Sequence, residues 1–257
     1  MAMNKDNDIA NNTLGTISRR SFGKGLLIAG VAALSATLPT LAFASVKTDK
    51  PLKIGIVGAG KIGGSVGVLW AKAGHEVFFS SRNPEQLGDL VSQAGATARV
   101  GTPAEAAAFG EVVFVAVPYH AMPKVGAQLS PLMQGKVVID CGNPYPIRDG
   151  DMANDALARG TGVTSAEFFP GVRLIRAYNS ISHKSILTQA HREGELFAIS
   201  MAGDDAEAVA TASKLILESG FDPVLVGPLT SAKRFDNRSK MYGFKGTAKE
   251  MREGFGL

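Results

Sequence analysis

A short apolar run, Leu52-Lys53-Ile54-Gly55-Ile56-Val57, leads straight into Gly58-Ala59-Gly60-Lys61-Ile62-Gly63. Beyond it Ile62, Val66, Leu69, Trp70 and Ala73 recur at helical spacing. Strand, G-x-G-x-x-G turn and helix in that order commit the chain to a sheet with helices laid on it. Gly58 allows the tight turn, Gly60 lets a diphosphate approach the backbone, and Gly63 lets helix and strand pack closely. The helix N-terminus adds N–H donors and partial positive charge, so the motif points to a bound dinucleotide.

The same cadence continues. Glu76–Ser80 reads as a strand, Pro84–Ala94 as a helix begun by proline, Ala98–Val100 as a short strand and Pro103–Phe109 as a helix. Val112–Val117 is a β-branched run of the kind buried on both sheet faces, and a helix near Ala121–Leu129 leads to a strand at Lys136–Asp140. The second half is less regular: strands at Val172–Ala177, Phe197–Met201 and Pro223–Val226, with an amphipathic helix at Asp205–Ser219. Gly227-Pro228 then breaks the chain before Leu229–Phe235. The expected fold is α/β, a Rossmann-type, doubly wound and mostly parallel sheet over 45–228, followed by a small C-terminal helical appendage at 229–257.

The end of the second strand separates the two nicotinamide dinucleotides. An NAD site usually places a carboxylate there for the ribose hydroxyls. This chain has Ser80-Ser81-Arg82-Asn83 and no acid before Glu85. A guanidinium can make paired, charge-assisted hydrogen bonds to a 2′-phosphate, with serine hydroxyls and turn amides completing the cradle. NADP is therefore the expected cofactor.

Upstream, Ser18-Arg19-Arg20-Ser21-Phe22-Gly23-Lys24 precedes the apolar stretch Leu26–Ala44, which ends in the small-residue site Ala42-Phe43-Ala44. This pattern resembles a twin-arginine export signal, with Gly23 where the consensus has leucine. Residues 1–44 are expected to be a Tat leader, read by the Tat machinery and not a permanent membrane span, with the protein periplasmic or otherwise exported. Free NADPH is not expected there, which calls for a nucleotide loaded before export and kept.

Cys141 is the single cysteine, so no internal disulfide forms, and the expectation for it is a small buried hydrophobe. Lone cysteine and four scattered histidines offer no metal-ligand spacing. From Ser231 onward seven basic residues face three acids, a balance that suits an anionic ligand or a solvated charged surface. No aromatic interleaving or DNA-binding motif accompanies it, so nucleic acid is not an expected partner.

Several segments in this order resemble the NADP-dependent oxidoreductases that use coenzyme F420, and the related NADPH-binding domain of the STEAP metalloreductases. They are Gly58–Gly63, Gly74-His75-Glu76-Val77, Ser81-Arg82-Asn83-Pro84, Val115-Ala116-Val117-Pro118, Val138–Pro144, Arg176-Ala177-Tyr178-Asn179, Ala202–Asp205 and Gly227-Pro228-Leu229. The resemblance implies hydride transfer between NADPH and a deazaflavin, a flavin or a similar small redox acceptor. It places the nicotinamide near Val117-Pro118 and Ala177-Tyr178-Asn179, with Ala59, Lys61, Ile62 and Asn143 among the cofactor contacts. Such chemistry asks the protein mainly for orientation and exclusion of water.

His120 and His183 are the candidate proton donors, being imidazoles near the ligand-facing edge. Tyr119 and Tyr178 are candidates either for stacking on a ring or for core packing. Two other functions stay open: an imine reductase of the pyrroline-carboxylate reductase kind, and an NADP(H)-binding module without turnover. A homodimer through the C-terminal appendage is a further expectation from the fold family.

Overall fold

The computed structural model describes residues 50–257, and the leader at 1–44 lies outside the described residues. Strand β1 (Lys53–Val57) is followed by α1 (Lys61–Lys72), β2 (Glu76–Ser80), α2 (Gly88–Ala94), β3 (Arg99–Gly101), α3 (Pro103–Phe109) and β4 (Val112–Val115). Next come α4 (Met122–Met133), β5 (Val137–Asp140), then α5 (Pro146–Asp149), α6 (Asp151–Arg159) and α7 (Thr161–Phe168) before β6 (Arg173–Ala177). The chain continues through α8 (His183–Gln189), β7 (Ala198–Gly203), α9 (Ala206–Glu218), β8 (Asp222–Gly227) and α10 (Ala248–Phe255).

The eight strands form one sheet in the order β3-β2-β1-β4-β5-β6-β7-β8. Neighbours are parallel throughout except β6 and β7, which pair antiparallel. The order reverses between β1 and β4, so a crevice opens beyond their carboxyl ends, where ligands bind in open α/β sheets. The carboxyl ends of β1, β2, β4, β5 and β6 share that edge. β7 runs the other way, so its carboxyl end lies at the opposite edge.

Helices cover both faces because β1, β4 and β5 are apolar on both. On one side Val66 and Trp70 of α1 meet Ile56, Phe114, Ile139 and Leu215, and the Trp70 indole donates to the Leu215 carbonyl at 2.7 Å. On the other, Met122, Leu129 and Met133 of α4 pack with Val113, Val138 and Phe169. The 229–257 stretch belongs to the same compact unit as the sheet. Its residues Phe235, Met251 and Phe255 close over Val224 and Val226 of β8, so the apolar face of α10 is already covered.

Two expected elements change shape. Pro84–Ala94 divides into a 3-10 turn at Pro84–Leu87 and the separate helix α2. The run Val112–Val117 ends as strand at Val115, leaving Ala116 to Pro118 in the loop above the crevice.

Candidate nucleotide and redox site

The glycine turn has the shape its sequence requires. Gly58 lies at φ +97°, and a Cβ there would stand 2.6 Å from the Ala116 carbonyl oxygen. A Cβ on Gly63 would come within 2.2 Å of the Gly58 oxygen, so the helix can approach the turn only without a side chain. Gly60 is different: a Cβ there meets nothing within 4 Å, because its surroundings are open. Helix α1 begins at this point with no capping side chain and no acid in its first turn. Its leading N–H groups and exposed Lys61 are thus left for an anion, while Ile62 is half-buried behind them.

We expect Gly60→Ala to weaken NADPH binding about tenfold or more while shifting stability by no more than roughly 0.5 kcal/mol, as at an exposed site. Gly63→Ala should instead destabilise the fold by about 1–3 kcal/mol through overpacking. Urea unfolding beside calorimetric titration separates the two. Equal stability losses would contradict this division of roles.

The Ser80–Asn83 corner is only partly as expected. Arg82 and Asn83 are exposed, and the Arg82 guanidinium has no hydrogen bond or ion pair among the described residues. The Ser81 hydroxyl accepts from the Asn83 N–H at 2.9 Å. Ser80 corrects the expectation: its side chain is fully buried and its hydroxyl donates to the Ile56 carbonyl at 2.6 Å. It pins β2 to β1 and offers nothing to a phosphate. The Ala59 N–H is likewise committed, to the Ser80 carbonyl at 2.7 Å.

Above β4, Val117 is half-buried and Pro118 exposed. Above β5 and β6, Asn143 donates through Nδ2 to the Asn179 carbonyl at 2.7 Å. The Asn179 Nδ2 in turn donates to the Phe235 carbonyl at 3.3 Å, and its buried Oδ1 has no partner. Ala177 is a fully buried strand end. Tyr178 settles as core: it sits at φ +60°, its hydroxyl pairs with Ser219 at 2.8 Å, and its ring makes edge contacts to Trp70 and Phe114. Tyr119 is core as well, hydrogen-bonded to Thr164 at 2.6 Å.

Beneath this edge lies a buried charge cluster that the sequence reading did not assign. The Arg176 guanidinium donates to Asp140 Oδ2 at 2.5 Å and to the Gly142 carbonyl at 2.8 Å, and lies 3.7 Å from Asp236. Asp140 also accepts from the Gly142 N–H at 2.7 Å. Burial disfavours the Arg176 cation, yet Asp140 and Asp236 outweigh it and hold the arginine charged. Asp236 accepts from the Thr161 N–H at 2.9 Å and from its hydroxyl, tying α7 to the C-terminal segment. The cluster thus fixes the Cys141-Gly142-Asn143 turn. Cys141 is buried, and burial pushes its thiol far up, as suits an inert packing residue.

The two candidate histidines fall on different flanks. His120 lies in the 3-10 turn Tyr119–Ala121, against α4, α5 and α6, and its Nδ1 is 2.8 Å from Asp149. His183 opens α8, which packs on α1, and is half-buried without a hydrogen bond. Arg148, Asp149, Tyr145, Asn237 and Tyr242 also line this region and carry no local signal in the sequence. Asn237 donates to the Pro144 carbonyl at 2.5 Å, and the Tyr242 hydroxyl meets that of Tyr145 at 2.8 Å. These contacts join segments far apart in the chain, so spacing carried no signal. Among the described residues no acidic, histidine or cysteine group could hold a metal ion, and no helix is long and apolar enough to cross a membrane.

Residues 53–144 match the family model described as NADP oxidoreductase coenzyme F420-dependent. This stretch is similar to that family over about the first half of the sheet. It carries the glycine turn, the Ser80–Asn83 corner and the Val117-Pro118 loop, so the similarity falls on the candidate nucleotide site. Metalloreductase STEAP3 from Rattus norvegicus is 29% identical over 196 residues, covering 75% of this chain. The chain spans 37% of that relative's length.

Among solved structures, a hypothetical protein from Sinorhizobium meliloti superposes with a TM-score of 0.65 at 23% identity, over 77% of this chain and 95% of that one. A protein from Arthrobacter sp. FB24, assigned as an F420-dependent NADP-reductase, gives 0.60 at 22% identity over 71% and 87%. An imine reductase from Bacillus cereus gives 0.52 at 20% identity over 70% and 56%. At these identities the structures establish the shared fold.

Proposed function

We propose that this chain is an exported NADP(H)-dependent oxidoreductase that passes a hydride between NADPH and a deazaflavin, flavin or similar small acceptor. The observation that carries the reading is an uncapped helix at an open glycine turn, flanked by an uncommitted guanidinium. That pairing suits a diphosphate with a second phosphate on the adenosine ribose. The nicotinamide, when bound, supplies the hydride chemistry. The protein's share is grip, orientation and dryness. Lys61 and the leading amides of α1 would hold the diphosphate, and Arg82 with the Ser81 corner would hold the 2′-phosphate. Asn179, whose unpartnered Oδ1 is buried at the end of β6, is suited to accept from a carboxamide.

Export rests on the Ser18–Lys24 pattern and the apolar stretch that follows it. A Tat substrate crosses folded, which lets a nucleotide bound beforehand travel with the protein. Single-turnover assays test the proposal. NADPH-loaded protein is offered flavin mononucleotide, F420 and a ferric chelate in turn, the last because a relative is a metalloreductase. Oxidation of bound NADPH by at least one acceptor is expected. Persistence of NADPH against every one would leave a carrier and overturn the enzyme.

A further inference from the structure

The turn after β5 builds a small hydrogen-bonded unit on the crevice edge. The Asp149 side chain is fully buried. It accepts from the Tyr145 N–H at 2.8 Å and from Arg148 Nε and Nη2, both at 2.7 Å. Its Oδ1 also faces His120, 3.3 Å from the backbone nitrogen and 2.8 Å from Nδ1. Burial pushes the carboxyl up, but Arg148, the Tyr145 N–H and His120 together outweigh it and hold it well below the usual carboxylate range. An ionised carboxylate at Nδ1 can only accept, so that nitrogen carries the proton.

The His120 side chain is half exposed, at 53%, and Nε2 has no hydrogen bond among the described residues. Arg148 already balances the Asp149 charge, so pairing with the imidazole is not needed to neutralise it. Of the charged residues on the elements packed against this turn (Lys124 on α4, Arg148 and Asp149 on α5, Asp151, Asp155 and Arg159 on α6), only Asp149 is bonded to the ring. The same turn presents fully exposed Ile147 and a Tyr145 ring beneath the Arg148 guanidinium, an apolar and cationic lip beside the histidine.

We propose that Asp149 is a positioning residue for His120, keeping a proton on Nδ1 so that Nε2 delivers the proton an acceptor takes up along with a hydride. This rests on the oxidoreductase reading and narrows the acceptor to one that gains both, such as a heteroaromatic ring, over a one-electron metal chelate. The balance is simple. The reduced nicotinamide is oxidised and gives up the hydride with both its electrons. The Nε2–H bond of the imidazolium breaks, and the proton goes to a basic nitrogen or oxygen of the acceptor. The bonding pair stays on Nε2, leaving neutral imidazole with Nδ1–H still held by Asp149.

Nitrogen-15 NMR of the histidine rings in the full, nucleotide-free chain tests the positioning without catalysis. Neutral His120 should be the Nδ1–H tautomer, and Asp149→Asn should move the neutral ring toward the Nε2–H tautomer. Asp149→Glu should restore much of the Nδ1–H form. With NADPH and flavin mononucleotide, Asp149→Asn should lower kcat while NADPH affinity holds. His120→Gln should cut the rate by roughly 10²–10⁴-fold. A neutral Nε2–H tautomer in the wild type, or a rate loss in Asp149→Asn with the tautomer unchanged, overturns the proposal. If Asp149→Asn fails to fold, the wild-type tautomer and His120→Gln decide. No reduction of flavin by any form, wild type included, counts against the acceptor assignment, while the ring spectrum still judges Asp149.

Discussion

Arg176→Met is expected to lower stability by about 3–5 kcal/mol, the usual consequence of removing one partner from a buried ion pair. The Arg176 and Asp140 side chains are fully buried, so the substitution strands one carboxylate beside a second, Asp236. For a domain of this size that loss corresponds to a melting midpoint lower by roughly 10 °C. Chemical or thermal unfolding measures it. Adding Asp140→Leu to the variant should recover much of the loss, since a well-packed apolar pair can replace a buried ion pair. A single substitution costing under about 1 kcal/mol would show that the cluster is solvated and that the Gly142 turn is held by other means.

Arg82→Ala should weaken NADPH binding by roughly 10- to 100-fold, the equivalent of about 1.5–3 kcal/mol for hydrogen bonds to a charged group. NADH binding should hardly change, because that nucleotide lacks the 2′-phosphate. Titration calorimetry with both nucleotides gives the ratio directly. Arg82 is exposed and unpaired, so its loss should leave the unfolding curve in place. Equal losses for the two nucleotides would remove the basis for preferring NADP.

The first half of the fold was legible because each of its elements is local. A strand, a glycine turn and a helix are contiguous, and Val112–Val115 and Val137–Asp140 are buried on both faces, which leaves a continuous apolar signal. The region between β5 and β6 was not legible. Helices α5, α6 and α7 are short, and Gly150 and Gly160 punctuate them at positive φ, so none is long enough to give a sustained helical pattern. The reversal of β7 is invisible for another reason: a run such as Ala198–Gly203 has the same residue pattern in either direction.

The site divides in the same way. The glycine turn and Arg82 could be read because their roles depend on immediate neighbours. Ser80 could not, since what decides its role is the Ile56 carbonyl across a strand pair. Arg176 entered only as the first residue of the Arg176-Ala177-Tyr178-Asn179 segment, and its partners lie on β5 and beyond β8. His120 was found by its position after β4. Asp149, which gives that histidine its orientation, belongs to a turn that local patterning had left blank.

The contacts of Asn237 and Tyr242 reach back 93 and 99 positions, to Pro144 and Asn143. Because synthesis runs from the amino terminus, the diphosphate turn emerges early and this rim emerges late. A polypeptide stalled before residue 237 would carry the diphosphate turn and lack the Asn237 and Tyr242 contacts to the turn after β5. The contacts of Asn237 and Tyr242 with the turn after β5 can therefore form only once residues 237–242 have been made, well after the glycine turn.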